Sequence, residues 1–141
     1  MHDSGLCVAR LAEMTGRLTS VYRAMPESRL LRSLPDGRTG ARAGYDLAAL
    51  LARMAHGVEE RESAVEPKWR DFPDVGPFSV GDQIAVAAHE LVAVVTDLVD
   101  MEGPDELVWS GDPGKVGQRV PAAVSTAAAL DAAADLWVLI R

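Results

Sequence analysis

One stretch decides the fold class: residues 79–101 read SVGDQIAVAAHELVAVVTDLVDM. Its apolar residues recur at steps of three and four, which places them on one face of an α-helix. The centre of that face is formed by Ile84, Ala88, Leu91, Val95 and Leu98. The many β-branched residues would also suit a strand, but the helical period holds for about five turns without period-two alternation. The stretch therefore predicts a long helix with a wide apolar face, central in a helical bundle.

Three further segments show the same helical period. The first predicted helix covers residues 6–25, the second residues 39–62, and the fourth begins at Val116 or Pro121 and runs to residue 141. Thr39 is expected to cap the second helix, and Ser79 with Asp82 resembles a capping box at the start of the third. The predicted core of the four helices is Cys7, Leu11, Met14, Leu18, Leu47, Leu51, Met54, Ile84, Leu91, Val95, Leu98, Leu130 and Trp137.

These segments predict an all-α fold, a single-domain four-helix bundle over residues 1–141 with up-down topology. Residues 26–38 leave room for a short extra helix, and residues 102–114 for an anchored loop or a short extended piece. The connection at residues 63–78, named the aromatic loop, contains Trp69, Phe72, Phe78 and three prolines. It is too long for a simple tether, so we expect it to pack across the bundle.

The composition excludes some partners. The chain has 141 residues, a formal net charge of -7 and one cysteine, Cys7. Acidic proteins repel phosphates and anionic lipids, so neither nucleic acid nor a membrane is an expected partner. One cysteine cannot form an internal disulfide, and the chain lacks a signal peptide and any unbroken apolar run of about 18 residues, which together predict a cytoplasmic protein. Scarce lysine beside abundant Ala, Arg and Gly is typical of a bacterium with a GC-rich genome.

Two histidines on neighbouring predicted helices, His56 and His89, could share a metal ion. This layout resembles that of the DinB-like metal-dependent bundles and their mycothiol-using relatives, and the resemblance implies one ion held by histidines of the second and third helices. On a helical wheel, however, His56 lies opposite the stripe of Leu47, Leu51 and Met54, and should face solvent. His89 falls on the polar side of its helix, and no HxxxH or ExxxH pair exists. We therefore predict no metal or other cofactor, and keep the two-histidine site as an alternative.

The polar side of the third helix carries the next candidates. His89, Glu90 and Asp97 could act as catalytic acid and base groups if another element covers them, and Asp100 lies on the same side. The alternative interpretation is a solvated acidic face.

A basic segment precedes the second helix, where residues 36–42 read DGRTGAR. A glycine-containing turn at a helix start exposes N–H groups at the positive end of the helix dipole. Arg38, Thr39, Gly40 and Arg42 are therefore candidate ligands for an anion, and Trp69 of the aromatic loop is a candidate pocket wall. The alternative is a capped helix whose arginines pair with surface acids.

The last predicted helix ends in apolar residues that point to all sides of its axis: Leu136, Trp137, Leu139 and Ile140. One chain can bury only part of such a ring at its end, so the run predicts an interface in a homodimer or larger oligomer. Asp131 and Asp135 share a face of this helix, and they either help to bind a cation or pair with an arginine at the core rim.

These observations favour a binding function over an enzyme. The chain contains no Ser-His-Asp, Cys-His or Gly-x-Ser-x-Gly arrangement, and Cys7 lies on an apolar seam. The best hypothesis is a non-catalytic binding or accessory module. It would dimerise and bind a protein or a small anionic ligand under the aromatic loop. The alternative is a metal-dependent helical-bundle enzyme of DinB-like type that uses His56 and His89.

Overall fold

The computed structural model describes residues 4–141, and they are mostly helical, which confirms the all-α class. The helices are α1 (Ser4–Ala24), α2 (Glu27–Leu30), α3 (Gly40–Glu59), α4 (Val80–Glu102) and α5 (Ala122–Ile140). Two short strands, β1 (Leu107–Trp109) and β2 (Arg119–Pro121), form an antiparallel hairpin. Single 3-10 turns cover Pro77–Ser79 and Pro113–Lys115. The short extra helix expected in residues 26–38 is α2.

The order of helix directions differs from the predicted up-down topology, because α3 and α4 run parallel. At their starts, a Cβ on Gly44 would lie 2.6 Å from Val80, and at their ends Arg61 pairs with Glu102 at 3.0 Å. The long segment at residues 60–79 makes this possible, since it returns the chain to the end at which α3 began.

The other two long helices run in the opposite direction. Near the end of α1, the Tyr22 hydroxyl donates to the Gly40 carbonyl oxygen at the start of α3, at 2.7 Å. At the end of α5, the Ile140 carbonyl accepts a hydrogen bond from Arg29. Each long helix packs against two others, in the cyclic order α1, α4, α3, α5.

The core lies between these helices and confirms most of the predicted apolar positions. The residues below 2% exposure include Leu11, Leu18, Leu51, Met54, Ile84, Leu91, Val95 and Leu98. Leu47 is also buried, whereas Cys7, Met14, Leu130 and Trp137 are only half-buried. On α1 the buried face is turned toward Thr15 and Tyr22, which sequence periodicity did not place in the core. The Thr15 hydroxyl is satisfied inside the helix, since it donates to the Leu11 carbonyl at 2.7 Å.

The two predicted helix starts have different outcomes. Thr39 caps α3 as expected, because its hydroxyl accepts the Arg42 backbone N–H at 3.0 Å. The capping box at Ser79 is wrong. Ser79 already has helical dihedrals as the last residue of a 3-10 turn, and its side chain makes no capping bond. Asp82 instead pairs with Arg23 of α1 at 2.8 Å.

The hairpin fits closely against the second half of α3. Val108 pairs with Val120 across the strands, and Pro121 directly precedes α5, which therefore starts at Ala122. Residues 102–114 thus contain the short extended piece that the sequence allowed. A Cβ on Gly57 of α3 would overlap the Trp109 carbonyl oxygen and lie 3.0 Å from its carbonyl carbon. Only glycine fits at this contact.

By length and composition alone, α5 could cross a membrane, and it is the one such helix among residues 4–141. The sequence expectation relied on an unbroken apolar run, which Asp131 and Asp135 interrupt. In the structure, Ala129, Ala133 and Leu136 of this helix pack in the core. A helix of this composition is weak evidence for a membrane span, because core helices also meet the same criteria.

Candidate functional site

The aromatic loop packs along one face of α3. Residues 42, 45, 49, 53 and 56 recur at steps of three and four, so they share this face. The face lies opposite the apolar stripe that enters the core. Since the loop runs back toward the start of α3, Trp69 meets the later part of the face and Phe72 the earlier part.

The first anchor of the loop is formed by Tyr45 and Phe72. Their ring centres lie 5.5 Å apart in a tilted arrangement. The Tyr45 hydroxyl donates to the Phe72 carbonyl oxygen, and the Arg42 guanidinium lies 4.8 Å above the Tyr45 ring. The loop backbone is therefore held by a hydrogen bond as well as by ring packing.

The second anchor is Trp69, which packs against two residues of α3. The Arg53 guanidinium stacks 4.4 Å from the Trp69 ring centre, and the His56 ring meets it edge-on at 5.4 Å and 87°. Arg53 also donates through Nε to the Gly111 carbonyl oxygen at 2.9 Å. Contacts on two sides hold the guanidinium in one orientation.

A cavity of 180 Å³, named the loop cavity, lies between these anchors. Small residues form its floor, and charged residues of α3, α4 and the loop form its walls. Its lining is Ala49, Ala52, Arg53, His56, Arg70, Asp71, Phe72 and Glu90. By the space that liquid water occupies, it could hold about six water molecules or a ligand of similar size.

The charges of the loop cavity do not neutralise each other directly. Arg70 pairs with Glu59, outside the lining, at 3.4 Å. Within the part of the chain that the structure describes, no ion pair joins Arg53 to Glu90 or Arg70 to Asp71. Opposite charges therefore line one cavity without pairing with each other, and Arg70 has its partner outside the cavity.

His56 does not face solvent, so that expectation is wrong. The residue is 7% exposed, because the aromatic loop covers the face of α3 that the helical wheel assigned to water. Burial lowers the pKa of His56 below its usual value, and the positive charge of Arg70 lowers it further. His56 is therefore neutral at pH 7 and can both donate and accept a hydrogen bond.

The second histidine lies elsewhere. His89 is exposed and lines a groove of 350 Å³ between α1 and α4, together with Thr15, Thr19 and Arg23. His56 and His89 thus belong to different cavities. Among the described residues there is no group of three or more His, Cys, Asp or Glu side chains that could hold a metal ion.

The candidate acid and base groups of α4 are also separated. Glu90 is half-buried and lines the loop cavity, whereas His89 turns toward α1. Asp97 and Asp100 are exposed. The structure therefore does not bring His89, Glu90 and Asp97 to one site.

The basic segment before α3 makes contacts within the chain. Arg38 pairs with Asp36 at 2.7 Å and with Asp46 at 3.1 Å, and Arg42 pairs with Asp46 at 3.1 Å. The guanidinium of Arg38 lowers the pKa of Asp36. The Gly40 N–H, at the helix start, donates to the Arg32 carbonyl at 3.1 Å. Trp69 of the aromatic loop contacts the later part of α3, at Arg53 and His56, so it does not cover this segment.

The apolar end of α5 is largely covered by the same chain. Leu136 is 3% exposed and Ile140 is 5% exposed, while Trp137 and Leu139 are half-buried. Val138 is exposed, and so are Asp131 and Asp135. The apolar residues that suggested an interface are thus mostly buried against other parts of the same chain.

Sequence reasoning missed Arg53, Arg70, Tyr45 and Phe72 as parts of one site. The sequence feature that could have indicated this site is the set of polar and aromatic residues at helical spacing on α3, which is followed in the chain by the aromatic loop. A comparison of the chain with protein-family models, with curated proteins and with solved structures finds no match.

Proposed function

We propose that this chain is a non-catalytic binding module whose four long helices form a bundle, and that it holds a small ligand with a carboxylate group in the loop cavity. The observation that carries the proposal is the lining of this cavity. Arg53, Arg70 and the buried, neutral His56 converge on a space of 180 Å³ beneath the aromatic loop.

The preference for a carboxylate follows from the donors. A guanidinium presents planar N–H groups that match the two oxygens of a carboxylate. Stacking on Trp69 and the bond to Gly111 fix Arg53 before any ligand binds, so less side-chain entropy is lost on binding. Neutral His56 supplies a further donor, and Phe72 with Ala49 and Ala52 supplies an apolar wall.

Acetate is a suitable first probe, because it is small enough for the cavity and carries only the carboxylate. Titration with sodium acetate should shift the NMR signal of the Trp69 indole N–H, and sodium chloride at equal ionic strength should not. The signal is assigned by its loss in Trp69→Phe. Arg53→Gln and Arg70→Gln should each weaken acetate binding about tenfold, since each removes a charged hydrogen-bond donor.

The matched control is Arg17→Gln, on the exposed side of α1, where Glu13 is the one ion-pair partner of Arg17 among the described residues. It should bind acetate as the unchanged protein does. Acetate binding that is absent, or that weakens equally in Arg17→Gln, contradicts the proposal. Thermal unfolding of every variant separates lost binding from lost folding.

A homodimer through α5 is the second part of the proposal. Val124 is 46% exposed and Val138 60% exposed on this helix, and Trp137 is only partly covered. Asp131 and Asp135 lie between the two valines on the same face, which limits the apolar area. Native mass spectrometry should show a dimer that Val138→Asp dissociates, and a monomeric mass contradicts this part.

The same mass spectrum tests the enzyme alternative. A DinB-like metal site needs His56 and His89 on one ion, so the helices would have to turn from the faces that they present here. A stoichiometric metal adduct that disappears in both His56→Gln and His89→Gln would favour that alternative over the binding module.

A further inference from the structure

We infer that the ligand of the loop cavity is a zwitterion, a small amino acid whose ammonium group is bound by Glu90 and whose carboxylate is bound by Arg53 and Arg70. This inference rests on the proposed function and deepens it, because it names the class of ligand. The observation behind it is the half-buried carboxylate of Glu90, which lines the cavity and has no cationic partner among the residues that the structure describes.

Glu90 is the one glutamate in the lining of the loop cavity, and it differs from two more exposed glutamates that have arginine partners. Glu59 pairs with Arg70 at 3.4 Å, and Glu102 pairs with Arg61 at 3.0 Å. Within residues 4–141, no Lys or Arg nitrogen lies within 4.0 Å of Glu90. Partial burial of a carboxylate costs free energy unless a cation or hydrogen-bond donor compensates it. An ammonium group in the cavity supplies both.

The charges occupy different walls of the cavity. Arg53 and His56 extend from α3, and Arg70 extends from the aromatic loop, whereas Glu90 extends from α4. Because Glu90 and Arg53 share a space of only 180 Å³ without touching, a molecule with its ammonium and carboxylate groups one or two carbons apart can reach both. Glycine and β-alanine have these two spacings.

Asp71 strengthens the polarity of the same site. It is exposed and belongs to the cavity lining, so it adds negative charge near the surface of the protein. A ligand with a carboxylate alone leaves both Glu90 and Asp71 uncompensated. A ligand with an ammonium group alone brings no acceptor for His56 or for the N–H groups that Arg53 and Arg70 do not already use with Gly111 and Glu59. Only a zwitterion satisfies both sets of groups.

The test compares four probes on the full chain: acetate, methylammonium, glycine and β-alanine. In NMR titrations, glycine or β-alanine should bind at least about tenfold more tightly than acetate, because the ammonium group adds a charged contact with Glu90. Glu90→Gln keeps the shape of the side chain and removes its charge. It should reduce amino-acid affinity to the level of acetate, while acetate itself binds as before or more tightly.

Asp97→Asn is the matched control, because Asp97 is an exposed carboxylate on the same helix and lies outside the loop cavity. It should leave all affinities unchanged. If acetate binds and amino acids bind no more tightly, or if Glu90→Gln leaves glycine and β-alanine binding unchanged, the zwitterion inference is overturned and the carboxylate site survives. If neither acetate nor the amino acids bind, the proposed function fails together with the inference.

Discussion

The hairpin and the aromatic loop both cover α3, but they do so by different means. The hairpin places backbone directly on the helix, and glycines on both sides make this contact possible. A Cβ on Gly57 would overlap the Trp109 carbonyl, and a Cβ on Gly111 would lie 2.8 Å from the Met54 nitrogen. The aromatic loop instead rests on side chains, Trp69 and Phe72, and leaves 180 Å³ beneath it.

The comparison shows how one helix can carry a close backbone contact on one side and a cavity on another. Backbone-to-backbone contact leaves no space and tolerates no added atom. Contact through ring side chains keeps the loop at a distance, and small residues such as Ala49 and Ala52 turn that distance into a cavity. The largest loss of stability should therefore follow a substitution under the hairpin, and substitutions at the loop anchors should cost less.

The largest expected effect comes from Gly57→Ala. The new methyl group has no space beneath the Trp109 carbonyl, so the hairpin must move away from α3. Overpacking against backbone should lower the free energy of unfolding by about 3 kcal/mol. Urea denaturation measures this change.

Gly16→Ala is the control for this prediction, because Gly16 also lies inside a long helix. Among the described residues, no atom outside the neighbouring turns of that helix lies within 4 Å of the added Cβ. It should raise stability by roughly 0.5–1 kcal/mol, since alanine is the better helix former. If the two substitutions change stability equally, the close hairpin contact is not what makes Gly57 necessary.

The second prediction concerns Trp69→Ala, which removes the later anchor of the aromatic loop. The substitution loses the stacking on Arg53 and exposes His56, so the free energy of unfolding should fall by about 2 kcal/mol. Proteolysis within residues 63–76 should become faster at the same time. Trp69→Phe keeps an aromatic face and should show less than half of both effects.

A smaller effect is expected from Tyr45→Phe, which removes only the hydroxyl group at the other anchor. The Phe72 carbonyl then loses its donor, while the ring packing remains. Stability should fall by about 1 kcal/mol. Loop proteolysis should accelerate in Tyr45→Phe and not in Tyr22→Phe, whose hydroxyl binds Gly40 outside the loop. Equal acceleration in both variants would show that general destabilisation, rather than the loop anchor, controls cleavage.

Local patterns in the sequence were sufficient for the elements that depend on nearby residues. The stripe of Leu47, Leu51 and Met54 determines which side of α3 enters the core, and all three are buried. Thr39 caps its helix through a residue three positions away. Such features need only helical geometry and side-chain chemistry.

The direction of α4 depends on the length of a connection rather than on a pattern. A helix of 20 residues such as α3 is about 30 Å long, and an extended segment advances about 3.3 Å per residue. Residues 60–79 are therefore long enough to return beside the whole of α3. Antiparallel neighbours in bundles usually need only about two to eight residues, so the loop length already argued against the up-down order.

The site was difficult to predict because its face of α3 is polar. Tyr45, Arg53 and His56 have the spacing of a solvated helix face, and periodicity cannot show that a loop lies on it. The same uncertainty affected α5, where no pattern indicated how much of Trp137 and Ile140 the other helices would cover. In both cases, a segment distant in sequence decides what is exposed.

The smallest expected effect is the pH dependence that His56 contributes. Burial under the loop lowers its pKa in the folded chain, so between about pH 6.5 and that lower value the unfolded chain binds a proton that the folded chain does not. The free energy of unfolding should therefore fall as the pH decreases through this range. His56→Gln should flatten the decrease, and His89→Gln, which removes an exposed imidazole outside the loop cavity, should retain it. Urea denaturation between pH 5 and pH 8 distinguishes the two variants. A slope that persists in His56→Gln would show that other groups produce it and that His56 contributes none. That outcome is expected if the loop leaves the imidazole hydrated, and it would contradict a closed aromatic loop over His56.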